Sequence, residues 1–379
     1  MSAAFTAAFS GRSVFLTGHT GFKGSWLAIW LSRLGAHVTG YALAPPSEPS
    51  NFVVSEVAGL LSAHHEADLR DGPRLIQALQ AADPDVVFHL AAQSLVRASY
   101  DAPRETFEVN TIGTASLLEA VRAHGKPCVV VLITSDKCYE NLERDGGYRE
   151  SDRMGGHDPY SASKGAAELL IASYRRSFFP PERIAEHGIK VASTRAGNVI
   201  GGGDWGEDRI VTDIVRALST GQPVAVRNPQ AVRPWQHVVE PLAGYLTLAA
   251  RMLSSDDPRL CSAWNFGPIF GEEATVAELV DRFIATWGSG SWSDVHDPGQ
   301  PHEAGILRLR IDKALAELPW KPRWNLSESI RRTARWYRRF AAQGGSMRLA
   351  CEEDIRDYER EHAAEGPPRK EKQEDHERV

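Results

Sequence analysis

Only four cysteines occur in 379 residues: Cys128, Cys138, Cys261 and Cys351. No pair of them has metal-ligand spacing, and scattered single thiols suit a reducing compartment better than a disulfide framework. The expectation is a cytoplasmic protein with no metal site. No apolar run reaches the roughly 20 residues that a membrane-spanning helix needs. The first ten residues lack the charged start and long apolar middle of a secretory leader. Basic residues are not in excess either: the net charge is −6, which excludes the broad positive footprint of a nucleic-acid binder. No internal repeat is present.

What is there is an ordinary soluble composition, 42% hydrophobic and 24% charged, in a chain long enough for one large α/β domain and a smaller one. Arg12–Thr17 reads as a first strand. It runs straight into Gly18-His19-Thr20-Gly21-Phe22-Lys23-Gly24. Beyond that turn Phe22, Trp26, Leu27, Trp30, Leu31 and Leu34 recur at helical spacing, and Gly35 stops the helix. A strand, a glycine turn and a helix N-terminus are the setting in which backbone approaches a pyrophosphate. The second strand, Val38–Leu43, ends in Ala44-Pro-Pro. An acid there binds the ribose of NAD and an arginine the phosphate of NADP; neither is present. Asp68 follows a short third strand and reads either as an adenine contact or as an ordinary turn carboxylate. Asp85–Leu90 is a fourth strand, leading to Ala91, Ala92 and Gln93, small enough at first for close cofactor approach. Asn110 lies in the next helix, where an amide serves structure or catalysis equally well.

The central stretch follows the run Cys128–Ile133, which is apolar and β-branched like a strand buried on both faces. It ends in Thr134-Ser135-Asp136-Lys137, and ligands of open α/β sheets sit at such carboxyl ends. Tyr160 and Lys164 then stand four apart on one helical face. A phenol with its usual pKa of about 10 is a poor base at neutral pH, and a nearby ammonium favours its ionised form. Alone, a Tyr and a Lys at this spacing describe an exposed helix as well as a site. Tyr139–Pro159 is polar and glycine-rich, a place for a substrate lid. A further strand, Ile189–Arg195, leads to Asn198 and three successive glycines, Gly201–Gly203, which leave backbone open to a ligand. Arg209, Arg227 and Arg233 follow, with Trp235 and His237, and arginines suit bidentate contact with a diphosphate.

The expected fold is α/β: a Rossmann-type doubly wound parallel sheet with a smaller C-terminal mixed α/β lobe for substrate. The sheet domain spans 11–200. The lobe spans 201–345, with some strand and helix returning to the sheet domain. A last helix covers Ser327–Gln343, with Ile330, Ala334, Tyr337 and Ala341 on its apolar side. Residues 364–379 have almost no apolar content and read as a disordered tail.

These motifs together resemble the extended short-chain dehydrogenase/reductases that act on nucleotide sugars, and more narrowly the CDP-glucose 4,6-dehydratases. The resemblance rests on Thr17–Gly24, His89–Gln93, Thr134–Tyr139, Asp158–Lys164, Arg195–Trp205 and Val232–Val238, and runs from about Arg12 to Trp336. It implies a tightly bound NAD recycled at each turnover, held by Gly18 to Gly24, Asp68, Leu69, Ala91, Ala92, Gln93, Thr134, Tyr160 and Lys164. It implies a substrate, CDP-glucose, bound by Gln93, Asn198, Arg209, Arg227, Arg233 and His237. It also implies Tyr160, Lys164 and Thr134 as the oxidation set at C4, and Asp136 as the acid that expels the 6-hydroxyl. Lys137 stands where the dTDP-glucose enzymes carry Glu, and is either the C5 base or a stabiliser of the enolate. Similar enzymes are homodimers or homotetramers, pairing helices such as Arg104–His124 and Tyr160–Phe179 in a four-helix bundle, and feed deoxysugar synthesis for surface polysaccharides. Two rivals share the scaffold: a nucleotide-sugar 4-epimerase or decarboxylase, and a non-catalytic NAD-binding protein.

Overall fold

The computed structural model describes residues 2–296 and 304–364. Its centre is a seven-stranded, wholly parallel sheet. Six strands come in chain order: β1 (Ser13–Thr17), β2 (His37–Ala42), β3 (Ala63–Glu66), β4 (Val86–His89), β5 (Cys128–Ile133) and β6 (Ile189–Ala196). They lie side by side as β3-β2-β1-β4-β5-β6, and Ala263–Phe266 adds the far edge beside β6. The order reverses between β1 and β4, whose ends are in register at Thr17 and His89. This reversal is where a doubly wound sheet opens a crevice.

Both faces of the sheet are covered, which is why its strands read as near-continuous apolar runs. In β1, Val14 and Leu16 belong to one core and Phe15 to the other. All six residues of β5 are buried. Edge strand β3 is the exception, alternating half-buried and exposed.

Two helices escape the sequence pattern. Ser2–Phe9 buries Phe5 and Phe9 against the sheet's larger core. Arg348–Ala364 seals the same side with Cys351, Ile355 and Tyr358. Trp30 Nε1 donates to Glu359 at 2.8 Å, and Arg332 donates to Asp354 at 2.8 Å. The last expected helix forms as Leu326–Gln343, with Ile330, Ala334 and Tyr337 buried but Ala341 exposed. The expected tail lies almost wholly outside the described residues. Among the described residues no helix is long and apolar enough to cross a membrane.

Two local expectations give way. The proposed lid, Tyr139–Pro159, is pinned: Tyr139 bridges Met154 and Tyr148 bridges Leu309. Tyr139 and Tyr148 are buried and stacked, with ring centroids 5.2 Å apart, and Asn265 donates to the Tyr148 carbonyl at 3.0 Å. The three glycines serve packing and not ligand access. All three are buried, and a Cβ on Gly202 would stand 2.0 Å from the Trp336 ring.

Candidate active site

The cleft forms where β1, β5 and β6 end, and its walls come from segments far apart in sequence. Thr134, Asp136, Lys137 and Tyr160 all line it. Asn198, Arg209, Arg227 and Arg233 line the opposite wall, and Phe22 and Lys23 contribute from the glycine turn. A separate depression lies behind Glu168 and Arg195, lined by Arg175, Arg310 and Lys313, and none of these cleft residues reaches it.

The glycine turn has the shape a dinucleotide needs. Gly18 has φ +75°, and a Cβ there would stand 2.6 Å from the Ala91 backbone nitrogen. A Cβ on Gly24 would stand 2.1 Å from the Gly18 carbonyl oxygen. Only glycine tolerates either approach. The helix Phe22–Arg33 starts with no side-chain cap, so its first N–H groups and its positive dipole end remain available to a pyrophosphate. His19 and Thr20 offer this turn backbone only. His19 is fully buried against Gly40, with Nε2 2.7 Å from His64 Nδ1, and Thr20 Oγ1 donates to the Leu43 carbonyl at 2.9 Å. Burial, then His64, pushes His19 down to about 3.

The remaining cofactor candidates divide. Ala91 closes on Gly18 and donates to Thr17 Oγ1 at 3.3 Å, and Ala92 follows it, half-buried, in the same connection. Gln93 turns away from the cleft: its amide bonds Leu95 and Thr106, and its backbone is clasped by Asn110. Asn110 also donates to Ser163 at 2.9 Å, so its amide is structural glue. Asp68 is tied to Arg70, which holds its carboxyl below the usual range, and Leu69 is buried against Gly113.

Tyr160 sits on the helix Pro159–Ser177, whose start is fixed by Asp158 accepting from Ser161 N at 2.9 Å and by Pro159 in the first turn. Its phenol meets Ser135, and burial pushes it up to about 12. The phenol is not easily ionised in this resting state, because burial outweighs Ser135 and Arg209, which favour the phenolate. Lys164 is itself buried and pushed down to about 8, with Glu168 and Cys138 opposing that fall.

Asp136 is 2% exposed. Burial raises its carboxyl above the usual 3.8, against Lys137, Ser135, Arg233 and Lys23, which favour the charged form. Ser135 Oγ donates to Oδ1 at 3.1 Å, while Oδ2 is buried with no partner. A carboxyl whose hold on its proton is strengthened by burial, with an oxygen free of partners in a cleft, is suited to donate a proton. Lys137 stands half-buried beside it. Lys23 is a second amine close by, pushed down to about 8 by burial, then by Lys164 and Arg209.

Across the cleft Arg209 donates to Asp204 at 2.7 Å and to Ser94 at 2.9 Å. Arg227 pairs with Asp208. Arg233 is buried and donates to the carbonyls of Val232, Ala304 and Gly305, so it also anchors its own loop. His237 is not brought to the site. It is fully buried, its ring 5.0 Å from Trp324 and 5.8 Å from Trp26. Arg233 and Trp235 both line the cleft, and His237, paired with Ile200 in a short parallel ladder, does not. Sequence reasoning missed Ser94, Ser135 and Glu168. Only Glu168 left a signal, one further helical step after Tyr160 and Lys164.

The GDP-mannose 4,6 dehydratase family profile matches residues 15–333. The chain is 46% identical over 350 residues to a CDP-glucose 4,6-dehydratase of Salmonella typhimurium, covering 92% of this chain and 97% of that one. It is 32% identical to a dTDP-glucose 4,6-dehydratase of Streptomyces antibioticus, covering 72% and 75%. Among solved structures, a dTDP-glucose 4,6-dehydratase of Streptomyces venezuelae superposes with TM-score 0.73 at 24% identity, over 86% of this chain and 96% of that one. A UDP-glucose 4-epimerase of Stenotrophomonas maltophila reaches TM-score 0.73 at 23% identity, over 87% and 99%, so the fold itself is common to both reactions. Full-length sequence identity and the matched profile agree: the chain belongs to the GDP-mannose 4,6 dehydratase family of extended short-chain dehydrogenase/reductases.

Proposed function

We propose that this protein is an NAD-dependent dehydratase of the cytoplasm that converts CDP-glucose to CDP-4-dehydro-6-deoxy-glucose with loss of water. The observation that carries the reading is the pairing of a buried Asp136, its carboxyl raised above the usual range by burial, with Tyr160 in one cleft. A 4-epimerase on this scaffold has use for Tyr160 and none for a second proton donor. The sugar nucleotide is that of the Salmonella CDP-glucose 4,6-dehydratase, and NAD is bound in the similar dTDP-glucose 4,6-dehydratases of Streptomyces venezuelae and Bacillus anthracis.

Bound NAD would lie on Gly18–Gly24 and supply a reversible store for the hydride taken at C4 and returned at C6. Tyr160 Oη receives the proton of the 4-hydroxyl. The resulting ketone acidifies C5–H, and an amine removes that proton, then returns it to C5 when hydride reaches C6. Asp136 gives its proton to the departing 6-hydroxyl, which leaves as water. Arg209 and Arg227 grip the diphosphate, and Asn198 orients the sugar side. The amine is Lys137, beside Asp136. Lys23 is a second reading, favoured by its lowered affinity for a proton.

Incubation with CDP-glucose should yield a 4-keto-6-deoxy product and no CDP-galactose. Lys137→Met should lower dehydration by about 10²-fold or more, the usual contribution of a positioned base. Lys137→Arg retains charge but stays protonated and cannot take a proton. If Lys137→Arg dehydrates at near the native rate, Lys137 is not the base, and Lys23→Met becomes the deciding variant.

Assembly into identical copies is a companion proposal. It is supported by Phe107, Ile112 and Leu169, apolar side chains exposed on the helices around 103–124 and on Pro159–Ser177. Sedimentation velocity should give a dimer or larger for the native chain and a lighter species for Ile112→Glu; a native monomer refutes it.

A further inference from the structure

Behind Thr134 lies a buried polar cluster that the proposed reaction does not use. Glu168 is 4% exposed, one helical turn beyond Lys164. Its Oε1 accepts from Thr134 Oγ1. Its Oε2 accepts from Ser193 Oγ at 2.9 Å and from Arg195 Nη2 at 2.7 Å. Arg195 is in turn fixed by Tyr139 Oη at 2.8 Å and by the Glu150 carbonyl at 3.1 Å. The carboxylate therefore has donors on both oxygens and an ion pair that is itself buried, 5% and 3% exposed on the two side chains.

We infer that Glu168 is a positioning residue for the chemistry at C4: it fixes Thr134 as a hydrogen-bond acceptor toward the cleft and holds Lys164 as an ammonium. This deepens the dehydratase reading and rests on it. The first half follows from counting protons. A threonine hydroxyl has one hydrogen and two lone pairs. The contacts recorded for Thr134 Oγ1 are Glu168 Oε1 and the Thr194 carbonyl at 3.2 Å, and both are acceptors. The hydrogen is committed inward, so only lone pairs face the cleft. Thr134 can then receive a hydrogen bond from a sugar hydroxyl or from the Tyr160 phenol, but cannot donate one to the alkoxide that forms at C4. An alkoxide denied a donor expels hydride more readily than one held by it.

The second half is electrostatic. Lys164 is buried, and burial alone drives an amine toward its neutral form. The groups acting on it are Glu168 and Cys138, which support the cation, and Lys23 and His89, each of which interacts with it from β1's turn and β4. Of these only Glu168 is a standing anion: Arg195, Thr134 and Ser193 keep its carboxyl below the usual range in spite of burial. Removing that charge leaves Lys164 with the Lys23 amine, a neutral His89 and a buried thiol for company, and its proton comes off at lower pH.

The test is Glu168→Gln, which keeps shape and loses charge. Turnover of CDP-glucose and the dissociation constant of NAD are both followed from pH 6 to 10. The native alkaline limb should fall near the titration of Lys164, at about 8. In Glu168→Gln it should move at least about one unit lower, the usual effect of an opposite charge at contact distance. Glu168→Asp, which keeps the charge, should restore it. Limbs that coincide in native and Gln forms, or an Asp form shifted as far as the Gln form, overturn the inference and leave Glu168 a structural ion pair. Should Arg195, left uncompensated, unfold the single variant, Glu168→Gln with Arg195→Met removes both charges and is read the same way. If the native protein turns over no CDP-glucose, the dehydratase reading fails, while the NAD profile still decides the role of Glu168.

Discussion

Tyr160→Phe is expected to lower CDP-glucose turnover by roughly 10³-fold, within the range general acid–base groups contribute, with fold and NAD affinity little changed. The ring is 7% exposed and held from both ends: its backbone N–H donates to Ser99 Oγ at 3.1 Å, and the helix start is capped by Asp158. Losing one hydroxyl that meets Ser135 costs about 1 kcal/mol of stability, too little to unfold a chain of this size. The loss must therefore appear in the chemical step. Because burial holds the phenol up to about 12, very little is ionised in the resting protein at pH 7, and native turnover should rise with pH across the neutral range. The Phe form should lack that rise. Equal pH dependence in the two proteins, measured by initial rates, removes Tyr160 from the proton transfer at C4.

Much of this site could be read from the chain because its signals are local. The turn Gly18–Gly24 follows a strand and opens a helix within a dozen residues, and the geometry that forbids a Cβ at Gly18 is the reason glycine is there. The run Cys128–Ile133 is buried along its whole length, so its composition alone announces a central strand, and the polar residues after it announce the crevice. What escaped notice depends on partners distant in sequence. The helix Arg348–Ala364 is rich in both charges and looks solvated. Its packing becomes visible only when Tyr358 finds Glu240 at 2.7 Å and Arg332 finds Asp354. His237 went astray for a similar reason: its ring packs beside Trp26 and Trp324, partners 211 and 87 positions away that nothing near it in the chain announces. The glycine run 201–203 was read as ligand access, although close approach of backbone to Trp336 has the same signature as close approach to a substrate. Glu168 was missed because a carboxylate on a helix is ordinarily a solvated one, and only the arrival of Arg195 from β6 makes it a buried centre.

Asp136→Asn separates elimination from oxidation more cleanly than any other single change. Asn matches the carboxyl in shape and keeps an acceptor for Ser135, but it has no proton to give to a leaving hydroxyl. Dehydration should fall by about 10³-fold, a general-acid loss, while C4 oxidation, which needs Tyr160, continues. The expected record is near-ultraviolet absorbance of reduced nicotinamide accumulating on mixing with CDP-glucose, hydrogen at C5 exchanging with solvent, and little 6-deoxy product. Stability should move the other way. The folded-state pKa of Asp136 is raised, so the native protein binds a proton that the unfolded chain releases near 3.8. Native stability thus declines as pH climbs from that value through the raised one. Asn carries no such penalty, and its melting temperature should gain on the native protein as pH rises above about 4, the ordinary carboxylate range. Parallel loss of oxidation and dehydration in this variant, or a melting advantage that grows toward acid pH, defeats the assignment of Asp136 as the proton donor.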